Sequence, residues 1–230
     1  MATAAPPAPP VSAPVDDLPR TADADGEMVD IIDRTTYAVL RAAPRAVVHR
    51  AAEWHRCVHV YLFALDGRML LQRRSPAKRV AASAWDGSAA EHVVAGEEAS
   101  AAAVRGVTEE LGVSVKTALR GGRLVRVRGP FEVVGDYEGA GPGGGVLRER
   151  EIVETWAGVW ATAGPDGGDP VTSHDPVEVA EVAWVPCADI EARVAAGTVG
   201  EFTPWFAKEA AELPPSTVYK AAVAALAEGA

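Results

Sequence analysis

The chain has 230 residues, 48% of them hydrophobic, enough for one domain with a sizeable core. Its net charge of -10 argues against a nucleic-acid scaffold, and no apolar run approaches the length of a membrane span. Cys57 and Cys187 form no metal or redox pattern and suggest reduced thiols in a cytoplasmic setting.

The first 27 residues are rich in Ala and Pro and read as a disordered lead. Asp16, Asp17, Asp23, Asp25 and Glu27, with almost no Arg, argue against a transit peptide, and residues 28–230 are expected to form one domain. The β-rich run Cys57–Leu65, a tight turn at Asp66-Gly67 and a return strand Arg68–Arg73 predict a hairpin. Arg73, Arg74, Lys78 and Arg79 then form a basic cluster suited to substrate phosphate; the plain alternative is a basic surface turn. Trp85-Asp86-Gly87-Ser88 closes the loop that follows.

From Glu91 the chain reads EHVVAGEEASAAAVRGVTEELGV. Gly96 ends a loop, Glu97 and Glu98 bring negative charge to a first helical turn, and the Ala-rich segment predicts a helix over 97–111. Ala99, Ala103, Val107 and Leu111 recur at helical spacing and are expected to face a core, while Glu109 and Glu110 point away from that stripe. Arg105 and Glu109, four apart, can pair, and Gly112 stops the helix. Two adjacent carboxylates on a rigid helix beside a loop suit a hard cation shared with substrate phosphates; taken alone they more often form a solvated face.

Beyond the helix, Leu124–Val134 reads as strands broken at Gly129-Pro130, and Gly139–Gly145 as a flexible loop. Glu149 and Glu151, two apart on a strand, share one face, with Arg148 and Arg150 on the other; without other evidence this is a mixed-charge surface. Strands are expected over 152–161 and 179–185, with a Gly/Asp/Pro loop between them reaching Pro176. Helices are expected near 188–196 and 218–228, and Pro204 opens another. Trp85, Tyr137, Trp156 and Trp205 are candidates for ligand stacking, with core filling the plainer reading.

The ordered set Glu97, Arg105, Val107, Glu109, Glu110, Gly112 and Val113 resembles the box of the Nudix superfamily. The pattern's first Gly is Glu91 here, and the Glu that should follow Arg105 is Gly106. One reading is close packing at a glycine; the sharper one is an exchange, in which the carboxylate lost at 106 reappears at 91 and reaches the same cation. His55, the Gln-Arg-Arg-Ser run, Trp85, His92 and the Phe202–Phe206 segment are similar to the branch containing type I isopentenyl diphosphate isomerases. His55 and His92 match two metal-ligand histidines of that branch, Glu149 and Glu151 match its paired acids, and His49 lies near a third histidine but out of register. The branch's protonating Cys is Ala90, which cannot donate a proton.

The resemblance implies the Nudix fold, an α/β class in which a mixed sheet is sandwiched between helices. It implies magnesium, with manganese as the alternative, and a small-molecule diphosphate substrate. The expected activity is hydrolysis of a diphosphate linkage in a nucleoside-diphosphate-type or other organic diphosphate. Glu91, Glu109, Glu149 and Glu151 are the catalytic candidates, and Glu91, His92, Glu109 and Glu110 the metal ligands. Arg73, Arg74 and Lys78 are assigned to substrate, and Glu97, Arg105 and Gly112 to the frame of the box. A diphosphate-binding protein without turnover is the second reading, favoured by Gly106. An isomerase is the third, disfavoured by Ala90. Oligomeric state does not follow from the sequence.

Overall fold

A computed structural model describes residues 25–162 and 173–228. The expected mixed sheet between helices is what forms. Its strands are β1 (Met28–Ile32), β2 (Val39–Pro44), β3 (His55–Phe63), β4 (Arg68–Arg74), β5 (Trp85–Asp86), β6 (Ala89–His92), β7 (Val125–Tyr137), β8 (Leu147–Val159) and β9 (Val179–Pro186). The helices are α1 (Arg45–Ala51), α2 (Ala99–Leu111), α3 (Val115–Ala118), α4 (Cys187–Ala196), α5 (Pro204–Glu212) and α6 (Pro215–Glu228). The structured part reaches back at least to Asp25, whose carboxylate pairs with Arg79 and whose carbonyl accepts from Ala46 N–H. Residues 1–24 and much of the Gly/Asp/Pro loop lie outside the described residues.

β3 is the central strand. It runs parallel to β8 over its whole length and antiparallel to β6, with His59 directly opposite Ala90. Period-two alternation sends its residues to two cores. Val58, Val60 and Leu62 pack with Val107 and Leu111 of α2, whereas Cys57, Tyr61 and Phe63 pack with Ile190, Phe206 and Val218 of α4, α5 and α6. The α2 stripe falls as its spacing predicts: Ala103, Val107 and Leu111 are buried, and Gly112 ends the helix at φ 64°.

The predicted hairpin is corrected. The turn forms, with Ala64 N–H donating to Arg68 O, but β3 and β4 pair only at Phe63 and Met69 and then part. Both strands are apolar on two faces, so each finds separate partners: β8 and β6 for one, β9 and β5 for the other. Where they diverge, Cys57 and His59 of β3 and Gln72 and Arg74 of β4 line a common open cleft. The predicted break at Gly129-Pro130 is absorbed as two register shifts within the single strand β7.

Candidate active site

At one end of the cleft three imidazoles and a carboxylate converge. His49 comes from α1, His55 opens β3, His92 ends β6 and Glu151 lies on β8; all are buried, with one ligand atom of each within 4.8 Å of the others. His49 Nε2 lies 3.3 Å from Nε2 of both His55 and His92, and Glu151 Oε1 lies 3.7 Å from His55 Nε2 and 3.5 Å from His92 Nε2. His55 Nδ1 sits 3.0 Å from Glu53 O, so that nitrogen carries the proton and Nε2 turns a lone pair inward. Burial, with His55 beside it, drives the His49 imidazole down to about 3, and burial near Arg45 holds His92 well below its ordinary value. Neutral imidazoles aimed at one point next to a carboxylate form the donor set of a transition-type divalent cation.

His49, out of register in the sequence pattern, reaches the cluster through the local backbone. The seven-residue helix α1 ends at Ala52 in the left-handed region, φ 55°, and this reversal folds His49 onto His55 six residues later.

The box residues divide. Arg105 is the hub: it binds Glu97 at 3.1–3.2 Å, donates to His92 O at 2.8 Å, contacts Glu109 at 3.5 Å and makes a close ion pair with Glu91. Glu97 also accepts from Val94 N–H, so Glu97 and Arg105 join the loop to the helix. Glu109 has a side chain 45% exposed and does not line the cleft. Glu110, expected beside it on the outer face, is buried, because one residue along a helix rotates the side chain by about 100°. It accepts from Gln72 Nε2 at 2.7 Å and Ala90 N–H at 3.2 Å, and burial with Glu91 nearby pushes its carboxyl up to about 8. Neither Glu109 nor Glu110 belongs to the histidine cluster, and of the four predicted ligands only His92 does.

Gly106 and Glu91 occupy one space. A Cβ at 106 would lie 2.6 Å from Glu91 Cγ, so the glycine lets Glu91 cross the helix to Arg105. Gly106→Ala gains roughly 1 kcal/mol of helix propensity but overpacks at a cost of about 1–3 kcal/mol. Net destabilisation in urea unfolding is expected in the native background and stabilisation in a Glu91→Gly background. A more stable Gly106→Ala single variant would contradict this packing.

Cationic groups and a second acid complete the cleft. Arg45, Arg74 and Lys78 line it, and Arg45 Nε is buried without a hydrogen-bond partner among the described residues. Arg74 stacks 5.1 Å over Trp205, whose indole N–H donates to Asp86, while Lys78 pairs with Glu178 at 2.5 Å. Arg73 is corrected: strand alternation turns it outward, onto Ser83 O and Glu181. Glu149 and Glu151 share the cleft face as expected, and burial plus the Glu151 charge pushes the Glu149 carboxyl up to about 8. Its Oε2 is buried with no hydrogen-bond partner among the described residues. Arg45, His49 and the cleft-facing His59 were not singled out as site residues.

The profile described as NUDIX domain matches residues 53–206. An isopentenyl-diphosphate Delta-isomerase of Nocardia farcinica is 32% identical over 182 residues, 78% of this chain and 90% of that protein. A Streptomyces griseus protein of the same description is 29% identical over 183 residues, 80% of this chain and 81% of its own. Nudix hydrolase 3 of Arabidopsis thaliana is 37% identical over 90 residues, 39% of this chain and 12% of that protein. A solved structure from Deinococcus radiodurans shares the fold, with a TM-score of 0.54 at 21% identity, covering 74% of this chain and 90% of that one.

Proposed function

The chain belongs to the NUDIX domain family, and on that footing we propose that it is a divalent-cation-dependent hydrolase of a small organic diphosphate, with isopentenyl diphosphate the first substrate to try. The observation that carries this is the buried set His49, His55, His92 and Glu151 opening onto a cleft lined by Arg45, Arg74 and Lys78. A cation held by that set would offset charge building on phosphate oxygens. The three nitrogen donors favour manganese or another transition-type ion there over magnesium, which suits the oxygen donors Glu110 and Glu91 better. Arg45, Arg74 and Lys78 would hold the diphosphate. Glu151 is committed to the cluster, which leaves Glu149, whose Oε2 has no hydrogen-bond partner among the described residues, as the base that takes the attacking water's proton once a bound cation offsets the burial and neighbouring charge that raise its carboxyl. Glu91 and Arg105 position the box helix against the strand that ends at His92.

The names of the Nocardia and Streptomyces relatives favour isomerisation as a second reading. Ala90 opposes it, because no acid stands at the position of the branch's protonating cysteine. Phosphorus NMR of the protein with manganese or magnesium and a panel of isopentenyl diphosphate, nucleoside diphosphate derivatives and dinucleotides tests the proposal. Cation-dependent monophosphate signals support hydrolysis; loss of isopentenyl diphosphate to its allylic isomer with no phosphate released would support the second reading. A panel left unchanged with either cation would reduce the chain to a diphosphate-binding protein.

A further inference from the structure

Four residues along β3 from His55, and on the same face of that strand, lies a second acid–base assembly outside the cation-ligand set. His59 is buried and lines the cleft, directly opposite Ala90 on the neighbouring strand. Direct cross-strand partners place their side chains on the same face, so the small Ala90 leaves the imidazole uncovered. His59 Nδ1 lies 2.7 Å from Glu209 Oε2, and the other oxygen of Glu209 is held by a close hydrogen bond from Thr155. Phe131 closes on the ring edge-on at 6.2 Å. Nε2 has no hydrogen-bond partner among the described residues. The neighbouring thiol of Cys57 is already engaged, donating to Glu91 O at 2.9 Å.

We propose that His59, held by Glu209, is the cleft's proton donor to bound substrate, a catalytic residue, with Glu209 and Thr155 as its positioning residues. The step rests on the hydrolase reading above. Water attacks phosphorus and gives its proton to Glu149. The bond from that phosphorus to the bridging oxygen breaks, its electron pair goes to the oxygen, and the Nε2 proton of His59 passes to the leaving monophosphate. Glu149 then returns its proton to the imidazole through solvent.

Charge supports the assignment. Burial alone would keep the imidazole neutral, but the Glu209 charge and hydrogen bond, with Asp86 and Glu151 adding, outweigh it and raise His59 above its ordinary range. Glu209 is held low by the same pairing, against its own burial. Facing this pair are Asp86 on β5 and Glu151 on β8, together with Tyr61 two residues along the same strand, and Arg128 of β7 is stacked on Phe131 at 3.9 Å.

Nitrogen-15 NMR of the imidazoles in the full chain with manganese replaced by magnesium reads the donor directly. His59 is expected doubly protonated at pH 7, with its Nε2 resonance shifting when methylenediphosphonate is added; a neutral ring, or a charged ring indifferent to the diphosphonate, overturns the proposal. With isopentenyl diphosphate, His59→Gln is expected to lower kcat about 100-fold with KM little changed, and Glu209→Gln to move the alkaline limb of the pH profile downward. A poor leaving group needs the donor most. The deficit of His59→Gln should therefore shrink on a nucleoside p-nitrophenyl phosphate, whose leaving group needs no proton, and an equal deficit on both substrates would mean a structural role only. If the native chain releases no phosphate but carries solvent deuterium into the prenyl carbons, hydrolysis is wrong, while loss of that exchange in His59→Gln would keep His59 as the donor.

Discussion

Replacing Glu151 with Gln is expected to weaken manganese binding by at least about 100-fold and to remove cation-dependent turnover, with the fold retained. Loss of an outer partner to a metal ligand costs about 10- to 100-fold, so a ligand in direct reach should cost no less. Glu151 is the only anionic member of the set, and its Oε1 stands within 3.7 Å of both His55 and His92. Gln keeps the shape and removes the charge. Glu109→Gln, at an exposed position four residues from Arg105, is expected to change binding by less than about threefold, since exposed pairs contribute roughly 0–1 kcal/mol. Calorimetric titration of manganese into both variants decides the matter. Equal losses would return the cation to the helix carboxylates and away from the histidines.

The metal-free protein is expected to lose stability as pH rises from 6.5 to 8, by several degrees in melting temperature, and saturating manganese or magnesium should flatten that slope. Burial raises Glu110 and Glu149 from an ordinary 4.5 to about 8 each, and Glu91 to about 7. A carboxyl raised in the folded state holds a proton that the unfolded chain has released. Stability from these groups is therefore greatest below about 4.5 and declines as pH rises through the folded values. His49 acts in the opposite direction: its folded value of about 3 lies below the ordinary 6.5, so its contribution is lost as pH falls below 6.5. Between 6.5 and 8 His49 no longer contributes, and the raised imidazole of His59 acts in the same direction as the carboxyls, so the two together predict a fall. Melting curves that rise across it in the absence of cation would contradict the buried, mutually repelling arrangement of these acids. Glu110→Gln should reduce the slope, because a neutral amide can still accept from Ala90 N–H.

Much of the frame was legible because local chemistry and tertiary structure agree. The Ala-rich segment with Gly112 at its end could only be a helix with Ala103, Val107 and Leu111 inward, and α2 follows it. Failures arose where one residue of rotation or a distant partner decides. Glu109 and Glu110 are adjacent in sequence yet face solvent and cleft, and Arg73 and Arg74 divide in the same way across a strand. The parting of β3 from β4 had no local signal, since apolar residues on both faces of each strand fit a hairpin equally well. His49 reaches the cluster through a left-handed Ala52, a conformation nothing in the composition announces. His59 and Glu209 are separated by 150 residues and meet only because α5 packs behind the cleft.

Anomalous diffraction from crystals soaked in manganese would test the central claim most directly. A peak among His49, His55, His92 and Glu151 is the expected result, with any second, weaker peak beside Glu110. A single peak at Glu109 and Glu110, with none among the histidines, would contradict it.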